Sequence, residues 1–70
     1  MADDSRIHTL TAREAEILRL IAAGMTNRQA ADRLSVSVRT VDAHLRSIYG
    51  KLGVKSRSAA TRFALDNHLA

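Results

Sequence analysis

The sequence predicts an all-α fold of four helices in one small domain, and three observations predict it. Apolar residues recur at helical spacing, hydroxyl residues stand where helix starts need caps, and glycines fall just past two of the periodic stretches. Of the 70 residues, 46% are apolar and 26% charged, enough apolar side chain to close one core and too little chain for a second domain. There is no proline, no internal repeat, no low-complexity segment and no stretch that reads as a strand. A core of this size supplies about 3–5 kcal/mol, so the fold is expected to be marginal alone.

Each element follows from local chemistry. Residues 1–9 are polar and aperiodic and read as a flexible tail or linker stub, leaving residues 10–70 as the domain. Thr11-Ala12-Arg13-Glu14 is a capping box, in which the threonine hydroxyl and the glutamate carboxylate satisfy amides left over at a helix start. Leu10 is placed to staple onto Ala15. A stripe of Leu18, Ile21 and Ala22, with Ile17 beside it, marks the buried face of the first helix, and Gly24 supplies its left-handed stop. Thr26-Asn27-Arg28-Gln29 repeats the box, and Ala30, Ala31 and Leu34 share one face of a short second helix ending near Ser35. Ser37 caps a third helix over about 38–52, which leaves a link of about three residues, the length of a helix-turn-helix unit. Gly53 ends that helix, Val54-Lys55 crosses over, and Ser56 caps a fourth helix running to about Leu69.

Composition excludes several functions. Without cysteine there is no disulfide framework, thiolate zinc site or cysteine catalysis, which fits a reducing compartment. No apolar run approaches the roughly 18 residues of a membrane span, and Met1-Ala2-Asp3-Asp4 lacks a signal pattern. A cytoplasmic chain with no membrane partner is expected. His8, His44 and His68 are scattered without metal-ligand spacing, so neither a metal nor another cofactor is expected, and His44 reads as packing at the core's edge. No nucleophile–base pair, phosphate loop or paired carboxylates can be assembled, so the chain does not read as an enzyme. Tyr49 and Phe63, the only aromatics, make no stacking platform for single strands.

Charge is unevenly spread. Residues 1–25 carry three arginines against four acids, whereas residues 26–70 carry eight basic residues against three acids, within a net charge of +4. A polyanion-binding face and a solvated, arginine-rich surface fit that asymmetry equally well. The third helix is more informative. At about 100° per residue, Val41, Leu45, Ile48 and Leu52 form a core-facing stripe. Opposite them lie Arg39, Asp42, Ala43, Arg46, Ser47 and Gly50, all short or hydrogen-bonding. Such a stripe suits a DNA major groove, where arginine forks and short residues read base edges; helical geometry alone leaves a plain solvent face equally open.

Leu10-Thr11-Ala12-Arg13-Glu14, Gly24-Met25-Thr26-Asn27-Arg28-Gln29-Ala30-Ala31, Thr40-Val41-Asp42-Ala43-His44-Leu45, Lys51-Leu52-Gly53-Val54 and Ser56-Arg57 closely resemble, in order and spacing, the DNA-binding domain of the LuxR family. The resemblance covers about residues 10–69. It implies a bacterial transcription regulator's effector domain binding double-stranded DNA, with the third helix in the major groove and the fourth often mediating dimerisation. Carried over by position, it implies base contacts from Asp42, Ala43 and Arg46, of which Arg46 is the foremost reader because its fork matches guanine O6 and N7. Thr26, Asn27 and Arg28, at the positive end of the second helix, are candidate phosphate contacts, as are Arg39, Thr40, Ser47 and Lys51 beside the groove face. A salt bridge from Glu14 to Arg57 is also implied. Such a module normally hangs from a regulatory domain in a longer parent chain.

The sequence departs from that pattern in places. Family members often carry a base where Asp42 and Gly50 stand, isoleucine at Ala30 and an acid at Ala59. Asp42 repels phosphate; it can accept from cytosine N4 or orient Arg46 as an i, i+4 pair, the role its spacing favours. Gly50 weakens the helix by about 1 kcal/mol relative to alanine. On the fourth helix Phe63 and Leu65 lie on different faces around Ala60 and Ala64, so one of them is left over from the core and is a candidate for a homodimer contact on DNA. The competing readings are a helical bundle whose basic face meets an acidic protein, and a sigma-factor region 4-like module. Operator sequence, direction of regulation and input signal are not encoded in these motifs.

Overall fold

The computed structural model describes residues 4–69; residues 1–3 of the expected tail and Ala70 of the expected domain lie outside the described residues. Helices α1 (Ala12–Ala22), α2 (Asn27–Leu34), α3 (Val38–Leu52) and α4 (Arg57–Asp66) follow a 3-10 turn, Ser5–Thr9, and no strand occurs among the described residues. Both expected capping boxes form. The Thr11 hydroxyl accepts from the Glu14 amide while the Glu14 carboxylate accepts from the Thr11 amide, and Thr26 and Gln29 repeat the exchange. Ser37 and Ser56 cap α3 and α4 through the Thr40 and Ala59 amides.

The helix ends share one device. A residue in the left-handed region turns the chain so that the next amide reaches back to a carbonyl orphaned by the helix end. Gly24 (φ 97°) and Gly53 (φ 68°) do this for α1 and α3, returning the Met25 amide to Leu20 O and the Val54 amide to Tyr49 O. Ser35 (φ 58°) and His68 (φ 60°) do it for α2 and α4 without glycine. The His68 turn returns the Leu69 amide to Ala64 O at 2.8 Å, so α4 ends at Asp66, not near Leu69, and Leu69 folds back against the core.

α1 packs across α3 and α4, and α2 lies against α3. Between them sit Ile17, Leu18, Ile21, Ala30, Ala31, Val41, Leu45, Ile48, Leu52, Ala60, Phe63 and Ala64, all buried. The whole expected apolar stripe of α3 is there. Phe63 is there too, only 8% exposed, which removes it as a dimerisation candidate: the small residues beside it on α4 leave room that the ring fills.

The segment before α1 also differs from the expected tail. Ile7 and Leu10 are half-buried against the core, and the Asp4 amide donates to Asn67 Oδ1 at 2.7 Å. Arg6 Nη1 donates to Leu52 O at 2.6 Å, and its guanidinium lies 5.0 Å from the centroid of the Phe63 ring. The physical reason is the C-terminus of α3. Its last carbonyls lack helical partners and carry partial negative charge, so a nearby cation satisfies both needs. Asp4 in turn pairs with Arg6.

Candidate nucleic-acid interface

The stripe Arg39, Asp42, Ala43, Arg46, Ser47 and Gly50 is exposed along α3, with Thr40 half-buried at its start. Arg39 and Arg46 form no ion pair among the described residues, so both guanidinium groups present their donors to solvent. Arg46 borders a shallow cleft shared with Asn27, Asp42, Leu45 and Tyr49. Gly50 has open space where a side chain would stand. His44 is half-buried at the margin of the stripe, as its place in the sequence suggests.

Two polar junctions fix this helix. The first is Glu14, which is 4% exposed and the one charged residue buried among those described. Its Oε1 accepts from Lys51 Nζ at 2.7 Å and from the Thr11 amide at 2.9 Å, and its Oε2 accepts from Ser47 Oγ at 2.7 Å. Burial by itself raises the carboxyl's pKa; the bonds from Lys51, Thr11 and Ser47 outweigh it and hold the group at about 2. Ser47 and Lys51, expected at the DNA backbone, are thus joined to α1. Arg57, the partner implied for Glu14, points elsewhere: the capping glutamate on the first turn of α1 reaches α3, where Lys51 forms the ion pair, and the arginine donates to Asn27 and Met25 instead.

The second junction lies on the α2 side. Arg57 Nη1 donates to Asn27 Oδ1 at 2.7 Å, its Nη2 donates to the Met25 carbonyl, and Asn27 Nδ2 donates to Asp42 Oδ1 at 2.7 Å. Asp42 therefore binds the start of α2, and the expected pair with Arg46 is not formed among the described residues. An asparagine from the neighbouring helix is the nearer donor. Thr26 closes its capping box by accepting at its hydroxyl and donating from its backbone amide, which leaves the hydroxyl proton free, and both Thr26 and Arg28 are exposed at this helix end.

On α4 the leftover side chain is Leu65, 51% exposed, at the edge of an open groove with Ile21, Ala22, Thr61 and Arg62. Sequence reasoning missed Arg6 and the pairings of Lys51 and Arg57. Ile7 and Leu10, apolar residues inside an otherwise polar segment, were the available signal for the first; the pairings join residues 30 or more positions apart and leave no periodic trace.

A family model described as bacterial regulatory proteins, luxR family, matches residues 8–64. The chain is 44% identical over 61 residues to the transcriptional regulatory protein LiaR of Bacillus subtilis (strain 168), covering 87% of this chain and 29% of that protein. It is 48% identical over 60 residues to the oxygen regulatory protein NreC of Staphylococcus aureus (strain JH9), covering 86% of this chain and 28% of that protein. It spans less than a third of the length of either relative.

Proposed function

This chain belongs to the luxR family of bacterial regulatory proteins, and from that premise we propose that it is the DNA-binding module of a bacterial transcription regulator, docking α3 in the major groove of a specific duplex. The observation that carries the proposal is the exposed α3 stripe, with two arginines that form no ion pair among the described residues, separated by short residues on the basic half of the chain. Arg46 reads guanine through a bidentate fork, and Ala43 lets the helix approach closely enough for apolar contact with a base. Asp42 offers an acceptor to a base amine. Arg28, Arg39 and Thr40 hold phosphates and set the register. Thr26, Asn27 and Lys51 add phosphate contacts through the hydroxyl proton and N–H groups that their bonds within the protein leave free, while Ser47, whose hydroxyl proton goes to Glu14, serves the interface by tying α3 to α1.

Leu65 and the outer face of α4 provide a contact for a second copy on DNA, which sets half-sites about 34–36 Å apart on one face of the duplex. The short span against its relatives supports a longer parent chain carrying the regulatory domain. A site of action on cytoplasmic DNA follows from the proposed role; among the described residues no helix is long and apolar enough to cross a membrane.

Selection from a random duplex library tests this reading. A recurrent sequence is expected, bound with an affinity that falls steeply with salt and stays well above that for mixed competitor. Weak, sequence-blind binding would overturn it in favour of a protein partner for the basic face.

A further inference from the structure

We infer that Asn27 and Arg57 are specificity-positioning residues, which set the base preference of Asp42 without reading bases themselves. The inference rests on the proposed DNA-binding role and concerns how one contact within it is made. Its basis is the direction of the hydrogen bonds. A guanidinium can only donate, so Arg57 dictates that the Asn27 carbonyl oxygen faces it. The second guanidinium nitrogen is anchored on the Met25 carbonyl, so the arginine is itself fixed. Asn27 must then turn its amino group the other way, toward α3, where Asp42 accepts it.

This polarity explains the acid. A lysine or arginine at position 42 would set a cation against the Asn27 amino group, whereas aspartate completes a chain of donors running from α4 through α2 to α3. Only Oδ1 is used. Among the described residues Oδ2 has no protein donor, and Asp42 is exposed on the groove face beside Arg46. The bond from Asn27 restricts the carboxylate's rotation, so Oδ2 is presented as a fixed acceptor. An acceptor in the major groove selects the exocyclic amine of cytosine or adenine over the carbonyl oxygens of guanine and thymine. Because a freely rotating carboxylate would also be drawn to solvent, the discrimination depends on the two residues behind it.

The test is random-duplex selection on the wild-type chain and on Asp42→Ala, Asn27→Ala and Arg57→Met, each shown to be folded by its thermal melt. The base pair whose preference disappears in Asp42→Ala identifies the contact, with an expected wild-type preference for an amine-bearing base of about fivefold, the low end for a base-edge contact. Asn27→Ala and Arg57→Met are expected to reduce that preference to about twofold or less while the preference read by Arg46 persists. Should Arg57→Met fail to fold, Asn27→Ala decides alone. The inference is overturned if Asn27→Ala binds all duplexes more weakly with that base preference intact, or if Asp42→Ala leaves every preference unchanged. A wild-type chain that selects no sequence at all fails earlier, and refutes the DNA-reading role itself.

Discussion

α3 is tied to α1 by Glu14 and to α2 by Asn27, and although both junctions contain 2.7 Å bonds to carboxylates, they differ in what surrounds them. The Glu14 carboxylate is cut off from water, so any donor it loses leaves a buried charge uncompensated. Asp42 and its bond to Asn27 are exposed, and water can replace either partner. Bond length therefore says little about consequence here; burial decides it. The same helix is held for stability on its inner side and arranged for recognition on its outer side, and substitutions on the two sides should affect different measurements.

The sharpest way to break that contrast is Lys51→Met. Removing one member of a buried ion pair costs about 3–5 kcal/mol, and because the lysine side chain is one-third exposed the loss should lie at the lower end. In a domain with about 3–5 kcal/mol in total, that unfolds much of the population. Urea denaturation should show the loss, with Glu14→Leu combined with Lys51→Met recovering part of it. A Lys51→Met domain as stable as the wild type would place the Glu14 junction with the exposed one.

Acid should act on the same junction. The Glu14 carboxyl titrates near 2 in the fold against an ordinary value of 4.5, so the folded state binds its proton less readily than the unfolded chain. Its contribution is complete above about pH 4.5 and disappears as pH falls toward 2. Urea midpoints measured between pH 6 and pH 2 should fall more steeply for the wild type than for Glu14→Gln, which cannot titrate. Parallel profiles would remove Glu14 as the source of the acid sensitivity.

The outer side is addressed by Arg46→Ala. It should lose about 1–3 kcal/mol of binding to the selected duplex and relax one base pair, while stability moves by no more than about 0.5 kcal/mol because the side chain is exposed and forms no ion pair among the described residues. Gly50→Ala sharpens the same point. A methyl group there meets nothing within 4 Å, so the helix should gain about 1 kcal/mol in thermal or urea unfolding. If that variant binds DNA less tightly despite its greater stability, the DNA backbone passes close to position 50.

Much of this arrangement was legible in the sequence where the cause is local. Caps are read from four neighbouring residues, and Thr11, Thr26, Ser37 and Ser56 all act where the sequence places them. The buried stripe of α3 follows from periodicity alone. Helix ends were legible where glycine marks them and near Ser35, where the next cap at Ser37 follows at once, but obscure at the end of α4, since a histidine does not demand the left-handed turn that His68 adopts. The groove stripe was legible as a set of exposed positions. Which of its polar groups are already engaged was not, because Glu14 with Lys51 and Asn27 with Asp42 are joined only by the packing of one helix on another. The docking of Arg6 on Leu52 O depends in the same way on where α3 ends relative to the first residues of the chain.

Asp42→Ala, like Arg46→Ala, is expected to leave stability nearly unchanged, and it completes the comparison. Its bond to Asn27 has the same length as the bond from Lys51 to Glu14, so a view based on geometry alone predicts similar losses. The bond from Asn27 is exposed, however, and once Asp42 is gone the asparagine amide can turn to water. Alanine is also the better helix former at a mid-helix position, by up to about 0.7 kcal/mol, which offsets the lost bond. Stability should stay within about 0.5 kcal/mol of the wild type in urea unfolding. Binding to random duplex should rise, because a carboxylate facing phosphates has been removed, and the gap between selected and random sites should narrow. A stability loss above about 2 kcal/mol would mean that the outer junction supports the fold as the inner one does. Tighter binding throughout with an unchanged gap would leave Asp42 as a surface charge with no part in recognition.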